Sequence, residues 1–216
     1  MATWLGEDGD VLTTVDHRDE ETARRWAVES AVGKPYRPRF RAEFARILAK
    51  RGPAPQRILE LGSGPGLLAE RVLRDVVVTE YVLFDFSEVM MKMARHAVGP
   101  RADVTCHVGD FKADDWHLDL QGPFDAVISM QAVHEIRHKR HVPLLYARVK
   151  TLLRLGGVLL VCDHEPAADA DDLKRQLAAS RHEQEQAMLH AGLGDVRCHA
   201  FEHQCYLMSA SKNFNT

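Results

Sequence analysis

Three features of the 216-residue sequence predict a doubly wound α/β domain on a mostly parallel, seven-stranded sheet. Short apolar runs alternate with longer amphipathic stretches, the mark of βαβ units. Most of those runs are apolar on both faces, as strands covered by helices on both sides must be. Two more strand-like segments close the chain with too little sequence between them for a crossover helix, so they are expected to pair antiparallel.

ETARRWAVESAV and RFRAEFARILAK read as amphipathic helices, joined by GKPYRP, where Gly33, Pro35 and Pro38 make the chain turn. RILEL (57–61), YVLFDF (81–86), VTCHV (104–108), FDAVISM (124–130) and GVLLVCD (157–163) read as strands. GLLAERVLRD, SEVMMKMARHA and HVPLLYARVKTLLR are the helices between them. Residues 170–191 carry one long helical pattern ending at Gly192, and DVRCHAFEH and QCYLMSAS finish the sheet. The expected organisation is a helical lid over residues 1–50 and a ligand-binding domain over 51–216. Right-handed crossovers put the working edge at the carboxyl ends of the strands.

Hydrophobic residues make up 45% of the chain and charged residues 27%, with a formal net charge of −3. No basic tract stands out, so neither nucleic acid nor an anionic membrane is expected as a partner. No apolar run is long enough to span a bilayer, and MATWLGEDGDVLTT is too acidic for a secretory leader, so a cytoplasmic protein is expected. Nothing in the sequence sets an oligomeric state. Cys106, Cys162, Cys198 and Cys205 all fall in predicted strands without a CxxC pair, and read as small core residues in a reducing compartment.

LELGSGPGLLAE, residues 59–70, holds the chemistry. Glu60 ends the first strand, and the glycines that follow turn into a helix whose N-terminus favours a negative group. A dinucleotide fingerprint needs a sixth-position glycine where Leu67 stands, and a P-loop needs a lysine followed by Ser or Thr, which is absent. Asp85 ends the second strand, where an acid can accept both hydroxyls of a ribose. Asp110 and Phe111 follow the third strand with a carboxylate and an apolar face suited to adenine. A ribose and an adenine without phosphates point to S-adenosylmethionine.

ILELGSGPG, VLFDFSEVMMKMAR, VGDF, FDAVISMQAVHEI and LLRLGGVLLVCD, in that order, resemble the successive motifs of class I S-adenosylmethionine-dependent methyltransferases. The resemblance is tight over about 57–165 and does not reach the first 50 residues. It implies that Gly62, Ser63, Gly64 and Gly66 hold the methionine moiety, with Glu60 toward its amino group. It implies Asp85 on the ribose, Phe86 flanking the adenine, Asp110 and Phe111 on the base, and Ser129 and Met130 lining the site by their backbone. Leu155 stands where the family often has proline, remote from the cofactor.

Two motifs compete. HEIRH (134–138) matches the H-E-x-x-H of zinc hydrolases, with Glu165 or Asp163 as a third ligand, but Arg137 stands where those enzymes prefer an uncharged residue. No metal is assigned. Tyr146 and Lys150 match the YxxxK of short-chain dehydrogenases, whose glycine loop differs from this one. A non-catalytic protein that binds S-adenosylmethionine is a third reading.

Methyl transfer is an in-line displacement, and a base helps only if the acceptor has a proton to lose. His134, past the fourth strand, is the first candidate, expected to titrate near neutrality. His164 and Glu165, past the fifth, are others on the same rim. With no inserted recognition domain and no basic patch, the expected acceptor is a small molecule. Residues 15–40 are expected to close over the cofactor, with Trp26 on an apolar stripe and Tyr36 and Arg37 at the turn facing the methionine or substrate end.

Overall fold

Seven strands form one sheet in the computed structural model, which describes residues 9–213 apart from Thr14; the ends of the expected lid and domain, 1–8 and 214–216, lie outside the described residues. The strands are β1 (Gln56–Leu61), β2 (Val78–Asp85), β3 (Val104–Val108), β4 (Phe124–Met130), β5 (Leu153–His164), β6 (Gly194–Glu202) and β7 (Cys205–Ser211). Their order is β3-β2-β1-β4-β5-β7-β6. The first five are parallel, and β7 lies antiparallel between β5 and β6. The order reverses between β1 and β4, the place where a doubly wound sheet opens a crevice at its carboxyl edge.

The helices α1 (Glu20–Gly33), α2 (Arg37–Ala49), α3 (Leu67–Asp75) and α4 (Glu88–Val98) precede β3, and α5 (Val142–Leu152), α6 (Asp172–Leu177) and α7 (Arg181–His190) follow β4. On one face, α2, α3 and α4 bury Phe40, Phe44, Leu48, Leu68, Val72 and Met91 against Ile58, Leu83 and Leu160. On the other, α5 and α7 bury Val149, Leu145 and Met188 against Val127, Leu159 and Tyr206. Each large apolar side chain so buried contributes about 1.5–3 kcal/mol. α2 shares the core of the sheet, so no break in packing falls at residue 50. α1 and the segment before it lie outside that core, as does the short α6.

Several expected features differ. The helical pattern over 170–191 is interrupted at Ala178–Ser180, because Ser180 caps a new helix: its side chain accepts from the Glu183 N–H while Glu183 reaches back to the Ser180 N–H. β3 is an edge strand and is not buried on both faces. Of the four cysteines only Cys162 and Cys205 are core residues; Cys106 is half-buried and Cys198 exposed, since the outer strands β3 and β6 have only one covered side.

Candidate active site

The carboxyl ends of β1, β2, β4 and β5 carry Glu60, Asp85, Met130 and Asp163 to one edge. Between β1 and α3 the glycine loop sits under two merging clefts, which share Trp26, Arg37, Gly62, Gly64 and Gln131. The glycines serve different ends. A Cβ on Gly62 would come within 2.3 Å of the Ala132 Cβ, and one on Gly66 within 2.7 Å of the Ala94 Cα, so these two let neighbouring chain approach. A Cβ on Gly64 would meet nothing within 4 Å: its space is open to the cleft.

Asp85 is buried, and its two oxygens accept from the backbone N–H groups of Gly64 (2.8 Å) and Ser87 (2.9 Å). Burial outweighs these bonds and raises its pKa. Glu60 is fully buried, with the Tyr81 hydroxyl donating to it, and burial pushes its pKa up to about 8. Ser63 Oγ and His17 Nδ1 are buried at the cleft without a hydrogen-bond partner. Buried polar atoms of that kind are rare unless a ligand completes them. Open space at Gly64, two orphaned polar atoms and a carboxyl group at each end fit a polar, elongated nucleoside such as S-adenosylmethionine.

Phe86 and Phe111 line the wider cleft, with Met90 beneath. Phe111 is buried and Phe86 partly open. Arg18 lies 4.8 Å over the Phe86 ring and 3.9 Å from Asp110, which also accepts from the Lys112 N–H. Ser129 is buried and donates to the Leu61 carbonyl (2.9 Å), tying β4 to β1 beneath the loop, and Met130 reaches the narrower cleft.

His134 stands in a 3-10 turn, Val133–Ile136, at the mouth. Its Nδ1 lies 2.7 Å from Asp163 Oδ1, its backbone N–H donates to Asp163 Oδ2 (2.9 Å), and its Nε2 lies 3.4 Å from Glu135 Oε1. Burial pulls its pKa down, but the Asp163 charge and hydrogen bond, helped by Glu135, outweigh it and push the pKa up to about 10. The expected titration near neutrality is therefore corrected: two carboxylates hold the ring protonated.

HEIRH does not form a metal-binding helix face. The 3-10 turn ends at Arg137 in left-handed backbone (φ 72°), and His138 caps the next turn, its Nδ1 accepting from the Arg140 N–H. Among the described residues no three His, Cys, Asp or Glu side chains stand together as a metal would need. Arg137 instead ties down the N-terminal segment, donating to the carbonyls of Val11 (2.7 Å) and Leu12 (2.5 Å). Tyr146 is buried in the core with its hydroxyl on Gln184, away from the cleft, so the dehydrogenase pairing with Lys150 has no site to serve.

From the lid, Trp26 and Arg37 reach both clefts, while Tyr36 turns to β7, stacked on His203 with ring centroids 5.2 Å apart. His164 sits behind the cleft wall, 3.1 Å from Lys34 Nζ and 3.1 Å from Cys205 Sγ. An ammonium only donates, so Nε2 accepts from Lys34 and the ring proton lies on Nδ1, toward the sulfur. Burial and the Lys34 charge push the pKa of His164 down to about 4, leaving it neutral. Glu165 pairs with Arg181 (2.7 Å) at the start of α7, outside the cleft. Sequence reasoning missed Lys34, Arg41, Gln131 and His17, which line the clefts; their signal, polar residues facing inward from the lid and one loop, emerges only when α1 folds over the glycine loop.

The fold is the one shared by class I S-adenosylmethionine-dependent methyltransferases, and part of the chain matches a family model of that kind. The model of the family described as "Methyltransferase domain" matches residues 58–157. A ubiquinone biosynthesis O-methyltransferase of Xanthomonas axonopodis pv. citri (strain 306) is 29% identical over 154 residues, covering 68% of this chain and 60% of the relative. The chain thus spans about three fifths of the length of that curated relative. Among solved structures, an O-methyltransferase family 2 protein of Planctomyces limnophilus DSM 3776, in complex with apigenin, superposes with a TM-score of 0.68 at 22% identity, over 92% of this chain and 62% of that one. Human N-acetylserotonin methyltransferase in complex with S-adenosylmethionine gives 0.64 at 16% identity, over 91% and 57%. At such identities the structures speak for the fold, and S-adenosylmethionine is the cofactor of the class.

Proposed function

We propose that the protein transfers the methyl group of S-adenosylmethionine to a hydroxyl of a small molecule. The observation that carries this reading is one continuous cleft running from the glycine loop to the His134–Asp163 pair. In this reading Asp85 takes the ribose hydroxyls, Phe86 and Phe111 flank the adenine, and Glu60 faces the methionine amino group. Arg41, which lines the narrower cleft and has no carboxylate within ion-pair distance among the described residues, takes the methionine carboxylate. When bound, the cofactor supplies an already activated methyl on positive sulfur. The protein's work is to hold the acceptor oxygen about 3 Å from it and in line.

His134 then removes the acceptor proton at Nε2. Asp163 fixes the ring and stabilises the imidazolium formed, the role of a carboxylate behind a basic histidine. The same pair leaves little free base at neutral pH, so turnover is expected to rise with pH. Trp26 and His17 cover the cleft and exclude water. The O-methyltransferase names of the curated relative and of the apigenin-bound structure support oxygen as the acceptor atom. Methyl transfer from methyl-labelled S-adenosylmethionine, screened over hydroxylated metabolites, tests the reading. Tight cofactor binding with no label transferred to any hydroxyl would favour a non-catalytic binding protein.

A further inference from the structure

The acceptor wall of the cleft carries more positive charge than its own carboxylates answer. Lys34, at the end of α1, and Arg37, at the start of α2, both line the wider cleft beside His134 and are half-buried. Neither has a carboxylate within ion-pair distance among the described residues. Lys34 Nζ meets only the neutral ring of His164 (3.1 Å), and Arg37 donates through Nε to the Gln131 side-chain oxygen and through Nη1 to the Ser30 carbonyl (3.1 Å). The nearby acids are committed: Asp163 to His134, Glu135 to His134 and Arg137, and Asp85 to two backbone N–H groups. Burial and then mutual repulsion lower the pKa of Lys34, and burial lowers that of Arg37. Two like charges held half-dry are costly unless an anion arrives between them.

Their remaining donors are defined. Arg37 Nη2 makes no bond, and Lys34 has two N–H groups left after His164. A bound sulfonium would add a third positive charge to the same space. In the reading above the methionine carboxylate is met in the narrower cleft, which Arg41 and Arg37 line and Lys34 does not, so Lys34 is the cation that belongs to the acceptor side alone.

We propose that the methyl acceptor is a small carboxylic acid, its carboxylate held by Lys34 and Arg37 so that its hydroxyl lies toward His134. This rests on the methyltransferase reading above and narrows it to an acidic acceptor. His164 acts through Lys34: as a neutral acceptor it fixes the ammonium, and Cys205 Sγ, accepting from the Nδ1–H, fixes the tautomer.

The test is calorimetric titration of the full chain, saturated with S-adenosylhomocysteine, by benzoate and by its neutral isostere benzamide. Benzoate is expected to bind about tenfold tighter or more, the gain of one charge-assisted hydrogen bond in a partly dry site. Lys34→Met and Lys34→Gln are expected to abolish the difference and Lys34→Arg to keep most of it, with affinity for S-adenosylhomocysteine unchanged in all three. Failure of the wild-type chain to bind S-adenosylhomocysteine overturns the functional reading itself. Normal binding of that ligand with no preference for benzoate, or a preference that survives both neutral variants, overturns the acceptor assignment alone. A tenfold loss of S-adenosylhomocysteine affinity in the neutral variants assigns Lys34 to the methionine carboxylate and overturns it as well.

Discussion

His134 is held between Asp163 and Glu135, and that pairing decides what the ring can do at a given pH. With its pKa pushed up to about 10, the fraction of free base, and with it kcat/KM, is expected to climb with pH from neutrality toward that value. His134→Gln is expected to keep cofactor binding, lower turnover by roughly a hundredfold, and flatten the climb. A variant with the same pH profile and full turnover would take His134 out of the chemistry. The sequence placed this histidine past the fourth strand but misjudged its proton, because its partner Asp163 is 29 residues away and meets it only across the sheet edge. The place of Asp85 was legible for the opposite reason: it ends a strand next to the glycine loop, from whose Gly64 N–H it accepts. Gly66 shows a limit of motif reading. It completes the glycine pattern, yet it packs on Ala94 of α4 and leaves the open space to Gly64.

The element that the sequence described least is the segment before α1. It is pinned at several points: Arg137 on the Val11 and Leu12 carbonyls, Asp10 on Arg140 (2.7 Å) and His141 (2.8 Å), and Ser87 on the His17 carbonyl. Ser87 also caps α4 through the Met90 N–H, so one side chain joins the strap to the helix behind Asp85. Arg137→Ala removes the first pair of bonds. The expected result is faster hydrogen exchange over residues 10–18 and several-fold weaker S-adenosylhomocysteine binding, with the sheet's exchange unaltered. Unchanged exchange in the strap would show that the other ties suffice. HEIRH matches a zinc helix by spacing, and spacing alone cannot tell an α-helix from a 3-10 turn that ends in left-handed backbone. By contrast, the break in the 170–191 pattern was readable: Ser180-x-x-Glu183 is a capping box, a start signal inside an apparently continuous helix. The βαβ elements themselves were read correctly, since their apolar periodicity reflects burial on both sides of a parallel sheet.

Across the whole molecule, buried charges at the carboxyl edge tie stability to pH. His134 is raised from 6.5 to about 10, so its contribution is fully present below pH 6.5 and is lost as pH rises to about 10. Glu60, raised from 4.5 to about 8, acts in the same sense: its contribution declines as pH climbs from 4.5 through about 8. Glu135, lowered from 4.5 to about 2, acts oppositely, stabilising above pH 4.5 and losing that contribution as pH falls to about 2. The thermal midpoint is therefore expected to fall between pH 7 and 10, and to fall less steeply in Glu60→Gln, whose site no longer ionises. Thermal unfolding across that range checks both, and a midpoint level from pH 7 to 10 would contradict the charge assignments. Glu60→Gln is also expected to weaken cofactor binding, so stability and function oppose each other at this residue.

That opposition is the one expected of a buried acid that a ligand must complete, and the ligand proposed for this sheet edge can be tested directly. The most direct measurement is calorimetric titration of the full chain with S-adenosylhomocysteine, for the wild type and for Asp85→Ala. The wild type is expected to bind at one site, and the folded variant to lose on the order of 2–3 kcal/mol, the worth of two hydrogen bonds from ribose hydroxyls to a carboxylate. No binding by the wild type, or equal affinity in the folded variant, would contradict the assignment of the cleft.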